Sequence, residues 1–156
     1  MKEFAFTQSD YLLRVLVAAL CGLVIGYERE ARMKLAGIRT HTIIAMAASL
    51  MVVVSKYGFF DVITVDGISV DASRVAASVV SGIGFLGAGA ILKQEKEHIV
   101  AGLTTAASIW VAAAVGIAAG YGREATAVAS TVVALFVLAV LGRLETSQAT
   151  NSEKKS

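Results

Sequence analysis

Charge is scarce in this sequence. Asp, Glu, Lys and Arg make up 17% of its 156 residues, where a soluble domain carries about 25%. With 56% hydrophobic residues and a mean hydropathy of +0.72, that scarcity excludes an ordinary soluble fold and describes a membrane protein. No length is left for a soluble domain beside the apolar segments. Cysteine is nearly absent: Cys21 stands alone, which excludes an internal disulfide and a cysteine metal site. No cluster of Lys and Arg is interleaved with aromatics and the net charge is only +2, so nucleic acid is excluded as a partner. A cleaved leader is not expected, because Glu3 and Asp10 spoil a basic start and no small-residue cleavage site follows. Cys21 in LVAALCGLVIG faintly resembles a lipoprotein site, but Leu20 is too large before it and the apolar run continues. Proline is missing altogether.

What is present is a series of uncharged runs punctuated by charge. Five apolar segments, 11–27, 40–57, 76–92, 99–119 and 125–141, are long enough to cross lipid as helices. The expected fold is therefore an all-α membrane protein with five transmembrane helices over 11–143. A polar lead-in, 1–10, precedes it, and a disordered tail, 144–156, follows. Between the second and third segments, VITVDGISV alternates around Asp66-Gly67, which predicts a small β-hairpin at 62–70. The residues KQEKEH at 93–98 read as a short charged turn. One side of the membrane holds nine Lys and Arg (Arg29, Arg32, Lys34, Arg39, Lys93, Lys96, Arg143, Lys154 and Lys155). The other holds five: Lys2, Arg14, Lys56, Arg74 and Arg123. The positive-inside rule then puts the N-terminus and the hairpin outside and the C-terminus in the cytoplasm.

The third segment, AASVVSGIGFLGAGAIL, carries Gly82, Gly84, Gly87 and Gly89. GIGFLG is a literal G-x-G-x-x-G, but a dinucleotide site needs a preceding strand and an acid about twenty residues on. Ala106, Ala107 and Ser108 stand there instead. These glycines are expected to serve helix packing, since a bare face lets helices approach closely in lipid. They make this segment the expected organiser of the bundle and of a homo-oligomer, with a dimer favoured. No enzyme and no bound cofactor is expected.

The charged residues are the remaining candidates. Only thirteen residues separate Arg14 from Glu28, too few to cross a bilayer at about 1.5 Å each. Arg14 is near enough to its end to snorkel. Glu28 with Arg32 and Glu30 with Lys34 are four apart in the favourable order. A buried contact of Glu28 with Arg29 or Arg39 is either a functional site or bland interfacial pairing. Asp71 and Arg74 form either a helix cap with a local ion pair or an outer ion-gathering point. Thr104, Thr105 and Ser108 either bond to their own helix or line a polar path. His41 and His98 have no second ligand at metal spacing.

Gly22-Leu-Val-Ile-Gly26-Tyr-Glu28-Arg29-Glu30, followed by Ala36-Gly37-Ile-Arg39-Thr40-His-Thr42, resembles the opening signature of the MgtC/SapB family. Ser81-Gly-Ile-Gly-Phe-Leu-Gly-Ala-Gly89 and Gly102-Leu-Thr-Thr-Ala-Ala-Ser-Ile-Trp110 are similar to its next two signatures. Asp71-Ala-Ser-Arg74 resembles its Asp-Pro-x-Arg, with Ala72 in place of the proline. The likeness covers roughly 11–122. It implies a polytopic bacterial inner-membrane protein of magnesium homeostasis, tied in pathogens to survival inside host cells. Some members of that family are regarded as Mg²⁺ transporters, and others act on a membrane partner such as the proton-translocating ATP synthase. No counterpart of the soluble C-terminal domain of the longer members is expected from these residues. On a transport reading, Asp71 would gather a hard cation outside and Glu28 would receive it inside, with Arg29, Arg39 and Arg74 holding these acids. No acid lies between them within the membrane.

Overall fold

The structure is a computed structural model describing residues 8–58, 71, 73–94 and 99–153. It contains α1 (Gln8–Ala31), α2 (Ile38–Tyr57), α3 (Ser73–Ala90), α4 (Leu103–Gly120) and α5 (Glu124–Glu153). Strands β1 (Leu92–Gln94) and β2 (Ile99–Ala101) pair antiparallel between α3 and α4, with Lys93 opposite Val100. All five helices are long and apolar enough to span a membrane. The helices alternate in direction, so one end of the bundle holds the α1–α2 turn and the ribbon. The other end holds Tyr57 and the α4–α5 turn. The expected hairpin at 62–70 lies outside the described residues, as does His98. Helix α5 continues to Glu153, through most of the stretch expected to be a disordered tail.

Local chemistry explains the turns. Met33 takes a left-handed φ of 51°. The Lys34 amide then donates to Arg29 O (3.0 Å) and the Met33 amide to Glu30 O (2.9 Å), a Schellman closure of α1. Gly122, with φ 80°, repeats that closure on α4: Arg123 N reaches Ala118 O (3.0 Å) and Gly122 N reaches Ala119 O (2.9 Å). The first amide of α2 is capped from the preceding helix, since Ile38 N donates to Glu30 Oε2 at 2.9 Å. This is the role Glu30 plays instead of the expected pairing with Lys34.

The bundle is organised around α2 and not around the third segment. Helix α2 lies between α1 and α4, and each presents it with a glycine pair four residues apart: Gly22/Gly26 and Gly116/Gly120. A methyl group on Gly22 would fall 2.5 Å from His41 O, and one on Gly26 would fall 2.6 Å from Ile38 Cα. On the opposite side, Gly116 faces the Ala45 backbone and Gly120 faces Ser49 O at 2.7 Å. Backbone contact this close is how helices attract in lipid. By contrast, a methyl on Gly82, Gly84 or Gly89 would meet nothing within 4 Å, and one on Gly87 would only graze Ala106 Cβ at 3.8 Å. Ile83 is the sole buried residue of α3. Half of the α4 span is buried, against 11% for α3 and for α5. The core is built from small residues such as Ala18, Ala45, Ala112 and Ala119. Large ones such as Leu20, Phe85 and Phe136 face outward, an arrangement suited to lipid.

Candidate functional site: two charged centres at the bundle ends

Arg14 and Arg29 lie fifteen residues apart on α1, about 22 Å along its axis. A hydrocarbon core is about 30 Å thick. Both side chains are enclosed by protein: Arg14 is 6% exposed and Arg29 is 2% exposed. Arg14 therefore does not snorkel to the headgroups. Its Nη1 donates to Tyr57 Oη at 2.7 Å and reaches Gly120 O at 3.4 Å, while Nε lies 3.4 Å from Glu124 Oε1. Its guanidinium also sits 5.4 Å from the centre of the Tyr57 ring, which stacks with Tyr11 at 4.7 Å. Gly122 leaves the room this needs, because a Cβ there would fall 2.9 Å from Arg14 Nη2. One arginine thus ties α1 to the ends of α2, α4 and α5. Sequence reasoning missed this centre; the available signal was a tyrosine and a glutamate at two helix ends opposite an arginine inside an apolar run.

The second centre sits at the α1–α2 turn. Glu28 accepts from Arg29 Nε at 2.7 Å through Oε2, and its Oε1 lies 2.5 Å from Arg32 Nε. The latter is a close charge contact without the alignment of a hydrogen bond. Arg32 Nη2 donates to Ala139 O at 3.0 Å, fastening α1 to α5. Of the two expected alternatives, Glu28 contacts Arg29 and not Arg39, which is exposed, and the expected four-residue pair of Glu28 with Arg32 forms beside it. The physical reason is helical spacing: Arg32 is one turn from Glu28 on the same face. One carboxylate meets two guanidiniums, and the centre is left positive. Arg29 Nη1 is buried without a hydrogen-bond partner among the described residues.

Beside it, His41 is fully buried and bridges α2 to α4. Its Nδ1 lies 2.9 Å from Gly37 O, and its Nε2 lies 3.0 Å from Ser108 Oγ, which in turn lies 2.8 Å from Thr105 O. A carbonyl only accepts, so Nδ1 carries a proton. With a neutral imidazole, the single Ser108 proton goes to Nε2; with an imidazolium, Nε2 donates and Ser108 turns to Thr105. Ser108 and Thr105 are buried, whereas Thr104 is exposed, so the three hydroxyls do not form one path.

Asp71 stands apart at the start of α3. Its Oδ1 accepts from Ser73 N (2.9 Å) and Ser73 Oγ (2.6 Å), a capping arrangement. These two hydrogen bonds hold its carboxyl below the ordinary aspartate range, with a smaller contribution from the Arg74 charge. Asp71 and Glu28 lie at opposite ends of the bundle. Among the described residues no group of three or more His, Cys, Asp or Glu is placed to hold a metal ion.

A model of the MgtC family matches residues 15–147, which include the Glu28 centre, the Tyr57, Gly120 and Glu124 partners of Arg14, and both glycine pairs. The chain belongs to the MgtC family. Among its relatives, YhiD of Escherichia coli K12, provisionally named a magnesium transporter, is 45% identical over 136 residues, 87% of this chain and 62% of YhiD. SapB of Bacillus subtilis is 38% identical over 133 residues, 85% of this chain and 56% of SapB. MgtC of Salmonella typhimurium is 38% identical over 125 residues, 80% of this chain and 49% of MgtC. The chain thus spans about half to three fifths of the length of these relatives. No solved structure matches it. As an MgtC-family chain with five apolar helices, it is a multi-pass membrane protein.

Proposed function

We propose that the chain serves magnesium homeostasis as a non-catalytic membrane module that senses or relays, and not as a conduit through one bundle. The positive centre around Glu28 carries this reading. A hard divalent cation seeks several oxygen ligands. Here the Glu28 carboxylate is held by Arg29 and Arg32, and the Glu30 carboxylate is taken up in capping Ile38 N. An approaching cation would therefore meet positive charge and no free carboxylate among the described residues of this turn. The family membership and the naming of YhiD support magnesium as the subject. The proposed location is a bacterial inner membrane with the Glu28 end cytoplasmic. The proposed partners are a second copy on the open glycine face of α3 or a larger membrane complex such as the proton-translocating ATP synthase. The name of YhiD also favours a second reading, Mg²⁺ transport, with Asp71 and Glu28 as successive ligands. Purified protein in liposomes loaded with a Mg²⁺ indicator decides between them. The expected result is flux equal to that of empty liposomes. Flux above that level, abolished by Glu28→Gln, would establish the transport reading instead.

A further inference from the structure

A cavity of about 400 Å³ opens between the end of α1 and the facing parts of α4 and α5. That is within the roughly 300–1,000 Å³ of small-molecule sites. Among the described residues its charged lining is entirely basic: Arg29, Arg32 and Lys34, with Thr104 beside them. Arg29, 2% exposed, lines this cavity, and its buried Nη1 has no hydrogen-bond partner among the described residues. A buried guanidinium short of an acceptor is costly, and negative charge in the adjoining cavity would offset the surplus positive charge of Arg29, Arg32 and Lys34. Planar guanidinium forks suit phosphate, and a lysine adds a point charge.

The cavity adjoins a second space. A groove of about 850 Å³ runs between α4 and α5 into the membrane-spanning part of the bundle, and Thr104, Val137 and Leu138 line both. The walls of the groove are apolar, from Leu103 and Trp110 to Val133. A basic pocket at the end of the apolar spans, beside an apolar groove along the helices, matches a molecule with a phosphate at one end and a hydrocarbon chain at the other. We propose that this chain binds one anionic phospholipid, its phosphate between Arg29, Arg32, Lys34 and Thr104 and an acyl chain along the α4–α5 groove. Basic pockets between transmembrane helices are known to take such headgroups. Inorganic phosphate shares the headgroup chemistry but has nothing to place in the groove.

Native mass spectrometry of detergent-purified protein distinguishes these sources, with phosphatidylglycerol, phosphatidylcholine of the same chain length and inorganic phosphate as separate probes. The expected result is at least tenfold tighter retention of phosphatidylglycerol than of phosphatidylcholine, and no adduct or thermal protection from millimolar phosphate. Lys34→Gln and Thr104→Val lie at the rim and should leave melting in lipid-free detergent unchanged. Lys34→Gln should weaken phosphatidylglycerol about fivefold, and Thr104→Val should weaken it to a lesser degree. Val137→Trp, filling the groove, should weaken both lipids. Equal binding of the two lipids would overturn the proposal. So would protection by inorganic phosphate as strong as that by phosphatidylglycerol, or phosphatidylglycerol binding unchanged in both Lys34→Gln and Val137→Trp.

Discussion

At the scale of single residues, the two buried arginines of α1 decide how charge is carried through an apolar chain. Removing one member of a buried ion pair leaves the other uncompensated, and that costs more than the pair contributes. Glu28→Gln should therefore destabilise the protein by about 3 kcal/mol. Thermal unfolding in a single detergent measures it, and Glu28→Gln combined with Arg29→Met should recover part of the loss. An unchanged melting temperature in Glu28→Gln would mean that Arg29 finds its acceptor elsewhere. The pairing was half legible in the sequence. The four-residue spacing of Glu28 and Arg32 shows on paper, because it is a property of one helix. The burial of Arg14 does not, because Tyr57, Gly120 and Glu124 come from three other helices and only the tertiary fold brings them together.

At the scale of elements, the α1–α2 connection is set by a glutamate reaching across a turn. Glu30 Oε2 caps Ile38 N, and Gly37 makes space for it, since a Cβ there would fall 2.5 Å from that oxygen. Gly37→Ala should cost about 1 kcal/mol, the worth of a helix cap. In a Glu30→Ala background the same change should cost little, because the clash and the cap are one event. Additive costs in this double-mutant cycle would show that Gly37 acts through something else. The segment pattern located all five helices, since lipid-length apolar runs bounded by charge admit few alternatives. The β1–β2 ribbon was not legible. Three-residue strands are too short to carry alternation, and the residues 93–98 read as a plain charged turn. The left-handed Gly102, φ 92°, at the start of α4 was the local signal for a sharp reversal there.

At the scale of the whole molecule, the claim is that α2 is clamped between two glycine-paired faces and that both charged centres are positioned by that clamp. The sequence drew attention to the densest glycine run, at 82–89, but density is not packing. What matters is which glycine has a backbone against it, and GLVIG at 22–26 and GIAAG at 116–120 carry the Gly-xxx-Gly spacing that helix pairs use. The glycines of α3 remain open to lipid or to another copy. The most direct measurement is a comparison of Gly116→Leu with Gly84→Leu by circular-dichroism melting in the same detergent. The expected result is a loss of about 10 °C or more for Gly116→Leu, since several kcal/mol of overpacking each shift a chain of this size by about 2–4 °C, with Gly84→Leu within a few degrees of the parent. Equal losses, or a larger loss for Gly84→Leu, would contradict an α2-centred bundle.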